Sequence, residues 1–374
     1  MTALTPKGVS GALMIQYRRV VCPVLPGFSS CFSILLFGFL WIMGGCHRKA
    51  EVAFPRLVLP AGSTFRLIQP VVPPSPESHP ESRREAYNGT LFALARPAPG
   101  TLVAAGAQST VWLISEESGQ ARKVLVPVTG EFYGIFFSSP STGFIVGNNG
   151  LILKTGDRGA HWKAISSPIR NAFLQSVWFP SPRIGYIAGE RGTLLKSEDG
   201  GDSWKLLSPP TDDNLYSVYF IDEKNGWIAG WGKTFLRTRD GGQTFRPVPL
   251  SVPRVGRKDP SFNSLWGQGD RVYLAGDHGL LYRSTDGGQR FTRIDLPVDR
   301  DLYGVCEEGT GMAIVSGERG TLYGVGPGDT NKSLLNGFPW ADFLALSCGS
   351  QNVRVAGVPN VILVPRPAAT ASRP

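Results

Sequence analysis

The chain has 374 residues, of which 42% are hydrophobic and only 18% charged. That is enough apolar material for a large core and too much for a disordered chain. Its 46 Gly and 30 Pro exclude a mainly helical protein. The net charge of +9 comes without the Lys/Arg block of a nucleic-acid reader. Five Cys without CxxC spacing and four His without HxH or HxxxH pairs give no zinc pattern, and no metal or cofactor is expected.

In chain order, the first feature is Arg18-Arg19 followed by the apolar run 32–43, then Gly44, Gly45 and Cys46. Twelve residues fall short of the roughly 20 that span a bilayer as a helix. A basic region, a short apolar run and small residues before a cut make a secretory signal. The Cys after two glycines resembles a bacterial lipoprotein signal, which implies lipid attachment at Cys46. The basic pair lies far into the chain, and Met14 is an alternative start. Residues 1–45 are therefore expected to be a signal peptide and 46–85 a tether. Pro70, Pro73, Pro74, Pro76 and Pro80 stiffen the end of that tether.

From there on the chain repeats. A Gly ends an apolar run at Gly106, Gly147, Gly189, Gly230, Gly276, Gly317 and Gly357. Fourteen residues before each stand Phe92, Tyr133, Gln175, Tyr216, Phe262, Tyr303 and Phe343. Each unit of about 41 residues reads as four short strands, with the Gly opening a tight hairpin between the second and third. This predicts an all-β fold, a seven-bladed β-propeller of four-stranded antiparallel blades over 86–365. Open solenoids and six- or eight-bladed rings are the alternatives. After Val364 too little chain remains for the last blade's outer strand, so an N-terminal strand within 56–70 is expected to close the ring. Residues 366–374 read as a disordered tail.

Four units carry S/T-x-D-x-G-x-x-W/F: Asp157 with Trp162, Asp199 with Trp204, Asp240 with Phe245 and Asp286 with Phe291. An Asp beside its own turn can accept that turn's backbone N–H groups, and the later Gly supplies a positive φ. The motif resembles the Asp box of bacterial neuraminidase-type repeats, which lies between the third and fourth strands. These aspartates are therefore expected to be structural, not catalytic.

Ser217-Val-Tyr-Phe220, Gly226-Trp-Ile-Ala-Gly230 and Arg237-Thr-Arg-Asp-Gly-Gly242 together resemble the photosystem II stability and assembly factor family. The resemblance spans about 88–365. It implies a non-enzymatic propeller that binds a membrane-complex subunit through a basic surface patch. With the lipoprotein-like signal, the expected place is the bacterial cell envelope, at the outer membrane facing the periplasm, or the thylakoid lumen of a cyanobacterial host. The expected state is a monomer.

The hairpin tips fall on one face near the axis, and a turn does not itself require Arg, Trp or His. Asn149, Arg191, Trp231, His278 and Arg319 are thus the candidate partner-binding residues, together with the Pro359-Asn360 tip. Cys306 and Cys348 fall in neighbouring innermost strands. Such strands diverge, so the two read as small buried residues rather than a bridge. The alternative function is a sialidase-like glycoside hydrolase or glycan-binding propeller. Its trace is Phe54-Pro-Arg56-Leu, a faint echo of that family's Arg motif with no clear successors.

Overall fold

A computed structural model describes residues 65–68, 90–253, 259–309, 311–326, 329–333, 341–348, 353–358 and 361–365. The signal segment, Cys46, most of the tether, the Pro359-Asn360 tip and the tail lie outside the described residues. Seven four-stranded antiparallel sheets follow one another, and their innermost strands are Leu91–Ala98, Phe132–Phe137, Leu174–Trp178, Leu215–Phe220, Phe262–Gln268, Leu302–Glu307 and Asp342–Cys348. These begin blades 1 to 7, and each touches the next, the seventh touching the first. The seventh sheet is completed by Phe65–Ile68, which pairs antiparallel with Val361–Pro365 from Phe65 opposite Pro365 to Ile68 opposite Ile362. The N-terminal strand thus closes a seven-bladed propeller, as the short last repeat requires.

One backbone contact explains the repeated Gly. A Cβ on Gly147 would lie 2.0 Å from the Glu131 carbonyl, and on Gly317 2.1 Å from that of Asp301. The same carbonyls accept the N–H of the following residue, Asn148 and Glu318, at 3.0 Å each. Only Gly lets the second strand come so close to the chain entering the first. Beside this contact every blade carries a β-bulge. The extra residue of the bulge is half-buried: Phe92, Tyr133, Gln175, Tyr216, Asn263, Tyr303 and Leu344. This corrects the fourteen-residue register in two blades. Phe262 and Phe343 pair directly with Gly276 and Gly357 and are fully buried, so Asn263 and Leu344 take the bulge position there.

Among the described residues the buried apolar side chains form seven clusters, one in each joint between blades. The joints add different devices. Phe136, Trp178 and Tyr219 form an aromatic ladder across blades 2, 3 and 4, with centroids 4.6 and 4.9 Å apart. Ser176, Ser217 and Ser264 accept the N–H groups of Val218, Leu265 and Val305 in the next blade. Between blades 5 and 6, Glu307 accepts from Arg271 at 2.7 and 2.6 Å and from the Tyr273 hydroxyl at 3.0 Å. Between blades 7 and 1, Glu116 joins Arg354 to Arg96.

Between blades 6 and 7 the device is covalent. Cys306 and Cys348 form a disulfide, with Cα atoms 5.9 Å apart. The expectation of two unpaired buried residues is overturned. The bridge runs diagonally: Cys348 lies one position further along its innermost strand than Cys306, and that stagger brings the two within bridging reach.

Gly147→Ala is expected to destabilise the ring by about 2–4 kcal/mol, because backbone and not a flexible side chain blocks the methyl. Gly156→Ala, where a Cβ meets nothing within 4 Å, is the control and should shift stability by less than about 0.5 kcal/mol. Denaturant midpoints of the two variants check this.

Candidate functional site

The four Asp boxes have one geometry. Thr155, Ser197, Thr238 and Ser284 each donate a hydroxyl to their Asp at 2.8 Å. The same hydroxyl oxygens accept the N–H of Gly159, Gly201, Gly242 and Gly288. The carboxylates accept the N–H of His161, Ser203, Thr244 and Arg290 at 2.9 Å each. These bonds favour the ionised form. Asp240 is drawn down to about 2, first by the Thr244 hydroxyl, then by the Thr244 amide and Thr238. Although burial opposes it, Asp157 is also held at about 2, by His161 and Thr155. A carboxylate so held is a poor proton donor near neutrality, which suits a turn and not general acid catalysis. Trp162, Trp204 and Phe245 are buried, and each packs against the preceding blade. Phe291 is half-buried and meets Phe235 of blade 4 edge-on at 5.1 Å.

At the opposite ends of the same strands stand the hairpin tips. Asn149, Arg191, His278 and Arg319 occupy one equivalent place, each in the left-handed region with φ between 52° and 55°. All four are exposed crest residues. Trp231 lies one position earlier and is 37% exposed, and Gly232 holds the left-handed place in blade 4. The tips are tied to the chain entering the next blade, as when Gly192 donates to Asp213 and Gly279 to Arg300. The five predicted residues therefore share one face. On the same face, contacts that the sequence argument did not separate out join bulge residues to hairpin acids: Asn263 donates to Asp277 at 3.0 Å, the Tyr303 hydroxyl to Glu318 at 3.5 Å, and Tyr133 feels the charge of Glu190. Tyr133 there is pushed up to about 12, by burial first and then by Glu131 and Glu190.

A further feature was missed altogether. Blade 4's third strand is Phe235–Thr238 and its fourth Arg246–Pro247, and Arg237 stands directly opposite Arg246. Like charges in that position repel. In blades 2 and 3 the equivalent basic pair is bridged by an acid. Asp202 lies 2.9 Å from Lys154 and 3.8 Å from Lys163 in blade 2, and Glu198 lies 3.3 Å from Lys196 and 3.8 Å from Lys205 in blade 3. In blade 4 both acidic positions have changed, to Gln289 and Arg239. Arg237 instead lies over the Trp227 ring at 5.1 Å and donates to the Gly288 and Gly287 carbonyls. Its Nε is buried without a partner. Burial, then the neighbouring Arg239, pulls Arg237 below the ordinary guanidinium value. Asp240 beside it and Asp286 are committed to their own turns. The three arginines line a cleft of about 560 Å³ between blades 4 and 5. It offers guanidinium donors to a carboxylate or another anion. Aligning the Asp boxes and reading the charge column beside them would have exposed it.

The family model described as "Photosynthesis system II assembly factor YCF48" matches residues 113–209 and 203–326. The chain belongs to that family. Its fold is similar to a solved YCF48 bound to D1 peptide, with TM-score 0.62 at 13% identity, covering 83% of this chain and 99% of that one. YCF48 from Cyanidioschyzon merolae gives TM-score 0.60 at 17% identity over 81% and 98% of the two chains. The WD40 propeller domain of Doa1 scores 0.60 at 12% identity over 76% and 95%. At these identities the structures share the fold alone. No curated protein matches the sequence. The YCF48 model covers all four Asp boxes and all of the Arg237 cleft's arginines. Among the described residues no cluster of His, Cys, Asp or Glu could hold a metal ion.

The Asp-box carboxylates are depressed, so they stabilise the fold above the ordinary Asp value, and that stability is lost as pH falls from about 4 towards 2. Asp240→Asn should flatten the fall of thermal midpoint over that window. An unchanged slope would show that the turn does not depend on the charge.

Proposed function

We propose that this chain is a non-enzymatic, protein-binding propeller that assists assembly of a membrane complex. Its partner is taken to be a carboxylate-bearing segment of a complex subunit, D1 or its counterpart; a YCF48 structure of similar fold holds a D1 peptide. The observation that carries this reading is the cleft where Arg237, Arg239 and Arg246 stand without the acid that balances the same site in blades 2 and 3. A carboxylate arriving there relieves a repulsion already built into the blade, so binding gains where the unbound fold is loaded. The hairpin face with Asn149, Arg191, Trp231, His278 and Arg319 is proposed as the second contact surface. No observation favours a hydrolase: the repeated aspartates are tied up in turns, and the Arg56 echo lies outside the described residues.

Export and lipid attachment at Cys46 are part of the proposal. The disulfide between Cys306 and Cys348 supports it, since such bonds persist in oxidising compartments and are rare in the cytosol. Outer-membrane attachment facing the periplasm is the proposed place, or the thylakoid lumen in a cyanobacterial host.

The test is calorimetric titration of the protein with a D1 peptide, native against Arg239→Glu/Arg246→Glu. The double change restores an acid in the manner of Glu198 and is expected to weaken binding at least tenfold while keeping the fold. Native binding should also fall steeply with salt. Loss with Arg191→Glu/Arg319→Glu instead would move the site to the hairpin face, and no binding by the native chain would sink the D1 reading.

A further inference from the structure

The hairpin crests are held by a set of hydrogen bonds whose chemistry changes from joint to joint. Three of the left-handed crest residues, Arg191, His278 and Arg319, donate their amide N–H to a side chain at the entry of the next blade. For Arg191 the acceptor is the amide oxygen of Asn214, at 3.1 Å. For His278 it is the Asp301 carboxylate at 3.0 Å, and for Arg319 the Asp342 carboxylate at 2.9 Å. An amide oxygen keeps its character across the working pH range, whereas a carboxylate loses its charge when protonated.

Asp301 is half-buried in a crowded sector. The blade 5 hairpin brings Asp277 and His278 to it, and the link into blade 6 brings Asp299 and Arg300. The blade 6 hairpin brings Glu318 and Arg319, and the entry of blade 7 brings Asp342. The two nearest basic side chains are engaged elsewhere. The His278 ring lies against Asp299 at 3.2 Å, and Arg300 donates to the Arg319 carbonyl at 3.3 Å. From the strand that begins just after Asp301, the Tyr303 hydroxyl reaches Glu318 at 3.5 Å.

We infer that Asp301 is a proton-operated latch: as a carboxylate it grips the amide of the blade 5 crest by a charge-assisted bond, and protonation loosens that grip on the crest that carries His278, while the Asn214 bond to Arg191 is unchanged. The step is one proton taken from solvent onto a carboxylate oxygen. The N–H bond it leaves behind is no longer charge-assisted, and such bonds are about half as strong. Burial, then the charges of Asp277 and Asp299, hold the Asp301 carboxyl above the ordinary Asp value. Burial, Asp301 and Asp342 do the same for Glu318. A raised carboxyl favours folding below its ordinary value, and that advantage is lost as pH rises through the folded value. The sector is therefore loaded at neutral pH and takes up its proton ahead of exposed carboxylates as pH falls. The latch stands on the hairpin face and does not depend on the Arg237 cleft.

The test follows backbone amide shifts by NMR from pH 8 to pH 4 in the full chain in detergent. It uses a His278→Asn background, so that the imidazole does not titrate beside its own amide. Asn tolerates the left-handed turn, as Asn149 does in blade 2. The residue 278 amide is expected to titrate once, with a midpoint above the ordinary Asp value of about 3.9. The Arg191 amide should stay flat, and its normal position reports an intact ring. Adding Asp301→Asn, which keeps the acceptor oxygen, should abolish the titration. A flat residue 278 amide in the single variant overturns the latch, as does a midpoint at or below the ordinary value, or a curve that survives Asp301→Asn. The first two outcomes do not require the double variant to fold.

Discussion

A carbonyl that tolerates no methyl group organises this molecule. Each blade brings its second strand against the chain entering its first, and at that point a Cβ would stand about two ångströms from backbone oxygen. The Gly that permits the approach also places the next N–H on the same oxygen. From that contact follow the bulge beside it, the outward turn of one residue per blade, and the left-handed crest two residues on. The interior is filled joint by joint, and the spacing of the joints is inherited from the backbone contact.

This is why the architecture was legible in the sequence. A backbone constraint that recurs in every blade prints the same Gly every time, whatever the side chains do, and the short last repeat announced the closing strand. Residue counting failed where pairing, not spacing, defines equivalence: in blades 5 and 7 Phe262 and Phe343 sit one place before the bulge. The disulfide was missed because divergence of the inner strands was judged at matched positions, whereas the bridge joins staggered ones. The candidate site was legible in part. Arg191, His278 and Arg319 share the crest position expected of them, since a turn shows its tip in sequence. The arginine cleft was invisible blade by blade, because it consists of a difference between blades: Gln289 and Arg239 stand where blades 2 and 3 keep Asp202 and Glu198.

The joints show a division of labour around the ring. Aromatic contacts and serine hydroxyls knit blades 2 to 6 with small repeated contributions. Nearer the closure the devices become strong and singular: the Arg271–Glu307–Tyr273 group, the Cys306–Cys348 bridge, then Glu116 between two arginines. Burial works against the Glu116 carboxylate, yet Arg354 and Arg96 lower it below its ordinary value. Breaking one partner of so enclosed a group leaves a charge without compensation.

The closing strand also gives the fold a mechanical polarity. Of the described strands Phe65–Ile68 is made first, and its partner Val361–Pro365 is made last, so the blade 7 sheet cannot be completed until that last strand is available. In the finished molecule any tension on the N-terminal segment enters the ring through these four residues. Their ladder is loaded before any other, and the inner strand of the same blade is riveted to its neighbour by sulfur. Under load the outermost strand of blade 7 is the first part to peel.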